Sequence, residues 1–208
     1  MSRDEKHVYA YLYRQARRPE DLPWYQSAVW PMLERVATRR VRPARALDVG
    51  CGTGGFAIYL VRLGYQVTAL DFLTEPLRMA VRLAQAAGAE VQFVQADARC
   101  WNATVQFDLI LDSGCLHGLD DGGRRRYHEQ LMGWLAPDGD FVLIHFGRMH
   151  ALDWRPVGPR RIPRSLVEAE FAPDLLLHDY AEEIRSGLRF PAGPRGLIGQ
   201  YHFRRAGS

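Results

Sequence analysis

Lysine and cysteine are scarce in this 208-residue sequence, with Lys6 as its single lysine. The three cysteines Cys51, Cys100 and Cys115 show neither paired nor metal-like spacing, which argues against a disulfide framework and predicts no bound metal. No apolar run approaches the ~18 residues of a membrane span. The charged residues 1–10 lack the apolar stretch of a signal peptide. We therefore predict a cytoplasmic protein with no membrane contact.

The excess of one sign of charge is also small, because the net charge is only +3. The arginines are scattered along the chain. The densest cluster, residues 124–126, fits the solvated first turns of a helix better than a phosphate-binding patch. No basic stripe with interleaved aromatic residues follows it, and such a stripe is typical of nucleic-acid binding. The sequence therefore predicts a partner that is not a nucleic acid.

What the sequence has is a regular alternation of apolar strands and amphipathic helices, within a length that suits one domain spanning residues 1–208. Helices are predicted over 5–17 and 25–40, and another helix begins with Thr74 as its N-cap. Strands are predicted at 44–49, 65–71, 91–97, 107–112 and 140–146, the last after a turn at 137–139. Strands that are apolar throughout indicate a parallel sheet with helices on both faces, the α/β class. Residues 174–185 and 197–205 are predicted as an antiparallel hairpin at one sheet edge.

The glycine-rich turn "LDVGCGTGG" at residues 47–55 directly follows the first strand. Gly50, Gly52 and Gly55 match the dinucleotide fingerprint, so a nicotinamide cofactor is one interpretation. However, Asp48 at the strand end would repel a pyrophosphate bound there. A carboxylate suits a ligand that brings a cation, and S-adenosylmethionine brings an ammonium and a sulfonium. The glycines would let the backbone approach that ligand without Cβ clashes.

Two more strands end in acids, where ligands bind in parallel α/β sheets. Asp71 is placed to accept both ribose hydroxyls, and Phe72 to lie against the adenine face. Asp97 and Ala98 are placed beside the adenine amino group. Each acid alone could instead cap a loop. The predicted cofactor site comprises Asp48, Gly50, Cys51, Gly52, Thr53, Gly54, Asp71, Phe72, Asp97, Ala98 and Asp112.

The segments "ALDVGCGTGG", "VTALD", "QADA" and "FDLILD" together resemble the class I S-adenosylmethionine-dependent methyltransferases over residues 44–146. The resemblance implies a Rossmann-like sheet of seven strands, the last antiparallel, and S-adenosylhomocysteine as a product. It divides the domain into an N-terminal helical lid (1–43), a cofactor-binding core (44–146) and an acceptor-side loop with the edge hairpin (147–208).

The segments "DLPWYQSAVWPML", "FDLILDSGCLHGL" and "GPRRIPRSLVEAEF" look like the thiopurine S-methyltransferase-like branch, which includes tellurite-resistance-type enzymes. Members of that branch carry Asp-Arg-Gly where this chain has Asp112-Ser113-Gly114. Because Ser113 stands where the branch has arginine, this position lacks a fixed positive charge and five hydrogen-bond donors. Arg155, Arg160 or Arg161 could supply the charge instead.

The resemblance implies methyl transfer by in-line displacement to a small molecule, which we expect to accept on sulfur or a similar soft atom. A thiol needs little help in losing its proton. Transfer to oxygen or nitrogen would use His117 as the base, with a rate that rises with pH through the histidine range. Asp112 would position the acceptor or the cofactor ammonium, or else cap the next turn. A non-catalytic S-adenosylmethionine-binding protein is a further alternative.

The acceptor pocket is predicted from loops at the same end of the sheet. His117 would line it or be a loop histidine bonded to backbone, Cys115 is expected to be a buried thiol, and Trp30 is expected to pack the N-terminal helices onto the sheet. The predicted pocket residues are Trp24, Tyr25, Ser113, His117, His150 and Trp154. Nothing in the sequence separates a monomer from a homodimer.

Overall fold

A computed structural model describes residues 3–41, 43–150, 153, 159–186 and 195–207 of the chain. The N-terminal part holds helix α1 (Arg3–Gln15), a short 3-10 turn (Pro19–Asp21) and helix α2 (Pro31–Ala37). The helix predicted over 25–40 is therefore shorter than expected. It begins at Pro31 because proline lacks the N–H that the first helical position leaves unused.

The rest of the chain alternates strands and helices as predicted, with small changes at the ends. The elements are β1 (Ala44–Val49), α3 (Gly55–Arg62), β2 (Tyr65–Asp71), α4 (Thr74–Ala86), β3 (Val91–Gln95), β4 (Phe107–Ser113), α5 (Asp121–Trp134), β5 (Leu135–Gly147), α6 (Arg164–Phe171), β6 (Leu175–Ser186) and β7 (Arg195–Arg205).

Within the described residues, seven strands form one sheet in the order β3-β2-β1-β4-β5-β7-β6. The strands β1 to β5 pair in parallel, whereas β7 runs antiparallel to both β5 and β6. The predicted α/β class, the Rossmann-like topology and the C-terminal hairpin are confirmed. The strand order reverses between β1 and β4, and ligands of such folds bind at that crevice.

Two local predictions were wrong. The N-cap of α4 is Leu73, because the Asp71 carboxylate already accepts the Leu73 N–H at 2.9 Å and Thr74 lies inside the helix. The turn predicted at 137–139 lies within β5, which begins at Leu135. The pairing of β5 with β4 shifts register there, so the strand absorbs those residues as an irregularity.

The core lies on both faces of the sheet, as the apolar strands predict. One cluster packs α2 and α3 onto the sheet through Leu33, Leu60 and Ile144. The other packs α5 and α6 through Trp134 and Phe171. None of the described helices is long and apolar enough to cross a membrane. Among the described residues the central strands are covered on both faces, and their carboxyl ends stay open to a ligand.

Candidate active site

A cavity of about 720 Å³ lies at the carboxyl ends of β1, β2 and β4. Its volume falls within the ~300–1,000 Å³ that is usual for small-molecule sites. The cavity brings together most of the predicted site residues: Trp24, Tyr25, Asp48, Gly50, Cys51, Gly52, Thr53, Asp71, Phe72, Asp97, Ala98, Ser113 and His117. Gly54, Asp112 and His150 do not line it, and Trp154 lies outside the described residues.

The glycines of the 50–54 turn all have positive φ, of +69° at Gly50, +54° at Gly52 and +77° at Gly54. A Cβ at Gly50 would lie 2.9 Å from the Cβ of Cys115, and one at Gly54 would lie 3.0 Å from a side chain of α4. We expected these glycines to make room for a ligand. At Gly50 and Gly54 they make room for neighbouring protein elements, so the turn packs tightly into the fold.

Asp48 lies at the end of β1, and no cationic side chain pairs with it among the described residues. It is 1% exposed, and its Oδ2 atom has no hydrogen-bond partner among the described residues. Burial, followed by the nearby Asp112 and Asp71, raises the pKa of the carboxyl to about 7, while the Ala57 N–H opposes the shift. A buried carboxylate with a free oxygen costs free energy that a bound cation would recover. The site therefore fits the ammonium of S-adenosylmethionine.

Asp71 at the end of β2 fastens the glycine turn. One of its oxygens accepts the Gly52 N–H at 3.0 Å and the other accepts the Leu73 N–H at 2.9 Å. Burial raises its pKa to about 6, against these hydrogen bonds, which favour the ionised form. A carboxylate has about four lone-pair sites, and those not taken by the Gly52, Leu73 and Phe72 N–H groups remain for the ribose.

Asp97 carries an ion pair that the sequence did not predict. Arg99 donates to both oxygens of Asp97, through Nε at 2.9 and 3.1 Å and Nη2 at 2.5 Å. These bonds hold the pKa of Asp97 below its usual range. The carboxylate stays ionised at the cavity wall beside the buried Ala98. The arginine, whose main-chain N–H also donates to Asp97 Oδ1 at 2.9 Å, keeps the carboxylate fixed in place.

Asp112 lies beneath the cavity with its side chain fully buried. Its carboxylate accepts three main-chain N–H groups, those of Gly114 at 3.0 Å, Cys115 at 2.7 Å and Leu116 at 3.0 Å. Burial raises its pKa to about 6. This arrangement is the turn cap that the sequence left as the alternative role. Through it, Asp112 shapes the loop that carries His117.

His117 forms part of the cavity wall together with a second imidazole. Its ring lies edge-on to His145, with centroids 5.8 Å apart, and to Phe146 at 5.5 Å. The His117 Nδ1 atom has no hydrogen-bond partner among the described residues. Burial lowers the pKa of His117 to about 3, helped by His145. The ring is therefore neutral at physiological pH and is a weak base.

His145 on β5 has a defined tautomer. Its Nδ1 lies 2.9 Å from the carbonyl oxygen of Phe146, and a carbonyl can only accept, so Nδ1 carries the proton. The Nε2 atom then carries a lone pair, and it has no partner in the described chain. Burial lowers the pKa of His145 to about 4. Two neutral imidazoles thus line the cavity, and their unpartnered nitrogens are buried.

Helix α1 lies in the predicted N-terminal lid, but its cavity-lining tyrosines were not among the predicted pocket residues. Tyr9 and Tyr13 line the cavity, and Trp24 packs between them at centroid distances of 5.2 and 5.3 Å. Arg14 ties the helix to α4 through Glu75 at 2.9 Å. Two tyrosines at i and i+4 on a predicted amphipathic helix were the available sign of this face. Trp24 has its predicted pocket position.

On the acceptor side, Trp30 does more than the predicted packing, because it also lines the cavity and its Nε1–H donates to the Ser113 Oγ at 3.2 Å. Arg161 is buried and donates to both oxygens of Asp153 at 2.9 and 2.8 Å. Arg160 reaches the exposed Asp121 at 3.3 Å. Neither arginine lines the cavity, and residue 155 lies outside the described residues.

Residues 46–139 match the protein family described as "Methyltransferase domain". A ubiquinone biosynthesis O-methyltransferase from Methylocella silvestris is 31% identical over 165 residues, which are 70% of this chain and 63% of that protein. The chain spans about half the length of the curated relatives it matches, from 44% to 63% for the first five. The match centres on the segment that carries the glycine turn and the acids.

Two solved structures share the fold. TehB from Haemophilus influenzae superposes with a TM-score of 0.73 at 15% identity, over 88% of this chain and 64% of that one. The 1,6-didemethyltoxoflavin-N1-methyltransferase of Burkholderia thailandensis superposes with a TM-score of 0.68 at 22% identity, over 98% and 92%. The latter contains S-adenosylhomocysteine. The chain is thus similar to methyltransferases over residues 46–139, and it shares its fold with a methyltransferase whose structure contains S-adenosylhomocysteine.

Proposed function

We propose that the protein transfers the methyl group of S-adenosylmethionine to a small molecule. The observation that carries this is the free, buried Oδ2 of Asp48 in a cavity at the switch point of the sheet. An acid there opposes a pyrophosphate and favours a cationic ligand. The same observation makes a nicotinamide cofactor the poorer interpretation of the Gly50, Gly52 and Gly55 pattern.

Each part of the cofactor has a matching group in the cavity. Asp48 would hold the ammonium, Asp71 the ribose hydroxyls, and Asp97 the adenine amino group beside Phe72 and Ala98. Bound S-adenosylmethionine supplies a methyl activated by its sulfonium. The protein then has to hold the acceptor atom about 3 Å from that methyl and exclude water. The aromatic rings of α1 and Trp24 cover the cavity and would exclude water.

We infer that the acceptor atom is sulfur or a similar soft atom, as in the thiopurine S-methyltransferase-like branch. A His117 pKa of about 3 makes this residue a poor proton acceptor near neutral pH. A thiol, with an ordinary pKa of about 8.5, already supplies some thiolate. Alignment in the cavity would then suffice for the displacement.

Transfer to oxygen or nitrogen is the second candidate, and the unpartnered nitrogens of His117 and His145 favour it. They offer lone pairs to an acceptor that carries O–H or N–H. The Methylocella relative is named as an O-methyltransferase and the Burkholderia neighbour as an N1-methyltransferase. In this case the imidazoles would orient the acceptor and take up its proton only as the methyl bond forms.

The deciding experiment measures S-adenosylhomocysteine release with a panel of thiols, selenols, phenols and amines, using wild type and His117→Ala. Turnover confined to thiols or selenols, with little loss in the variant, supports the first candidate. Turnover on a phenol or amine that is lost in the variant supports the second. Binding of S-adenosylmethionine without turnover on any acceptor would show that the protein binds the cofactor but does not transfer its methyl group.

We further propose that residues 1–208 act as one cytoplasmic domain, as a monomer or homodimer, on a small molecule and without nucleic acid. The cavity supports the small-molecule acceptor, because it is a concave site walled by α1 and the loops rather than an open groove. A band-shift assay with RNA and DNA at moderate salt tests the nucleic-acid part of this proposal.

A further inference from the structure

The acceptor end of the cavity lacks a cation where the resembling branch has one. Ser113 stands in that place and is bonded to the Trp30 indole N–H at 3.2 Å. Of the arginines that the sequence offered as substitutes, Arg161 is bound to Asp153 and Arg160 reaches Asp121. Any positive charge beside Ser113 therefore comes from another element.

Arg185 on β6 brings a guanidinium to this wall. The described lining of the cavity holds three arginines, Arg62, Arg99 and Arg185. Arg99 is bound to Asp97 in the cofactor half, and Arg62 closes the helix that follows the glycine turn. Arg185 is the one that lies over the Trp30 ring, with its Cζ 4.4 Å from the ring centroid. It thus stands next to the Trp30–Ser113 hydrogen bond.

The guanidinium of Arg185 is held in place with part of its donor set unused. Its Nε donates to Glu183 at 2.5 Å, and its Nη1 donates to the Gln26 side chain. Its Nη2 has no hydrogen-bond partner within the described part of the chain. Gln26 lines the cavity with Arg185, whereas Glu183 does not. Glu183 is partly exposed, so its ion pair is weak and orients the arginine more than it neutralises it.

We propose that Arg185 binds an anionic group of the acceptor, a carboxylate, and so makes the enzyme selective for acidic small molecules. This rests on the proposed function. The planar guanidinium is suited to a carboxylate because its donors form a rigid fork. The flat indole of Trp30 beneath it keeps that fork in one plane. A ligand carboxylate would accept a hydrogen bond from Nη2.

The test measures the binding of benzoate and of its neutral counterpart benzamide to protein saturated with S-adenosylhomocysteine, by calorimetry or ligand-observed NMR. The variants are Arg185→Gln and Arg185→Lys. Arg164→Gln is a matched control, because Arg164 also stacks on a ring, Tyr180 at 4.2 Å, and pairs with Glu168, yet it does not line the cavity.

We expect wild type to bind benzoate more tightly than benzamide, and Arg185→Gln to weaken benzoate binding about tenfold to a hundredfold, as loss of a charged hydrogen bond does. Benzamide binding should change little, Arg185→Lys should restore part of the loss, and Arg164→Gln should match wild type. Equal losses for both ligands would mean that Arg185 only supports Trp30, and equal affinity of wild type for both would overturn the proposal. Failure to bind S-adenosylhomocysteine in the first step would count against the proposed function instead.

Discussion

The main-chain N–H of Gly52 donates to the side chain of Asp71 at 3.0 Å, which ties the glycine turn after β1 to the end of β2. The second oxygen of the same carboxylate accepts the Leu73 N–H at the start of α4. One acid thus holds together the two loops that would surround a ribose. The bond explains why an acid belongs at this position even before any ligand binds.

Removing this acid should loosen both loops. We expect Asp71→Ala to lower the free energy of unfolding by about 2 kcal/mol, because two main-chain donors lose a charged acceptor. S-adenosylhomocysteine binding should weaken by more than tenfold. Urea unfolding and calorimetry measure the two effects. Asp97→Ala is a useful comparison, since Asp97 bonds to no part of the glycine turn. A variant of Asp71 that keeps wild-type stability would show that the turn does not depend on this bond.

The ligand-free protein should lose stability through Asp48 as the pH rises. Its pKa is raised from 3.8 in the unfolded chain to about 7 when folded. The folded state therefore holds a proton that the unfolded state has released, and the stability this gives is full below pH 4 and gone above pH 7. The acids that face Asp48, Asp71 and Asp112, strengthen the effect through their charges.

Asp48→Asn isolates this effect because asparagine does not titrate. We expect the unfolding free energy of the variant to gain on that of wild type between pH 4 and pH 7, by about 4 kcal/mol at most for such a shift. Chemical unfolding of both proteins at each pH measures the difference. A gap that stays constant with pH would show that Asp48 is ionised throughout.

Cofactor affinity should have the opposite pH dependence. A protonated Asp48 cannot attract the ammonium, so binding must release its proton below pH 7. We expect S-adenosylmethionine to bind several-fold more tightly at pH 8 than at pH 6, and this change to vanish in Asp48→Asn. Adenosine, which has no ammonium, serves as the control ligand in the same calorimetry and should show a smaller pH dependence, because of the two acids only Asp71 lies beside its ribose. A similar pH dependence for adenosine would point to another group in the cavity.

Much of this site could be predicted because it follows from strand ends. Apolar runs located the five parallel strands, and Asp48 and Asp71 follow from the rule that ligands bind beyond the carboxyl ends. The direction in which a loop side chain points does not follow from any such rule. Gly54 was therefore expected at the ligand and instead packs against α4, and His150 lies outside the cavity lining.

Contacts between distant segments were the part that the sequence could not provide. Arg185 reaches Trp30 only because β7 inserts between β5 and β6, and the register of that hairpin sets which β6 side chains face the cavity. The pairs Trp30–Ser113 and Gly50–Cys115 are likewise far apart in the chain. Tyr9 and Tyr13 had a visible helical spacing, but nothing in it indicated which surface the helix would cover.

The two imidazoles of the cavity should not titrate in the neutral range. Burial lowers the pKa of His117 to about 3 and that of His145 to about 4. We expect their ring signals in nitrogen-15 NMR, assigned with His117→Asn and His145→Asn, to stay those of neutral imidazole from pH 8 to pH 5. A transition near pH 6.5 in the His117 signal would instead show that His117 is a stronger base. Such a base would favour transfer to a phenol.

Gly50 should tolerate a side chain less well than another glycine with similar backbone geometry. Gly50 and Gly88 have φ of +69° and +62°, so an alanine at either position meets the same backbone strain, about 1 kcal/mol. A Cβ at Gly50 would lie 2.9 Å from the Cys115 Cβ, whereas a Cβ at Gly88 meets no atom within 4 Å. Crowding in a packed region adds about 1–3 kcal/mol.

We expect Gly50→Ala to lower the urea midpoint of unfolding well beyond Gly88→Ala. It should also weaken S-adenosylhomocysteine binding, because Cys115 belongs to the loop that carries His117. Equal losses in the two variants would mean that the 113–118 loop moves aside at little cost, and the loop would then be free to adjust to the acceptor.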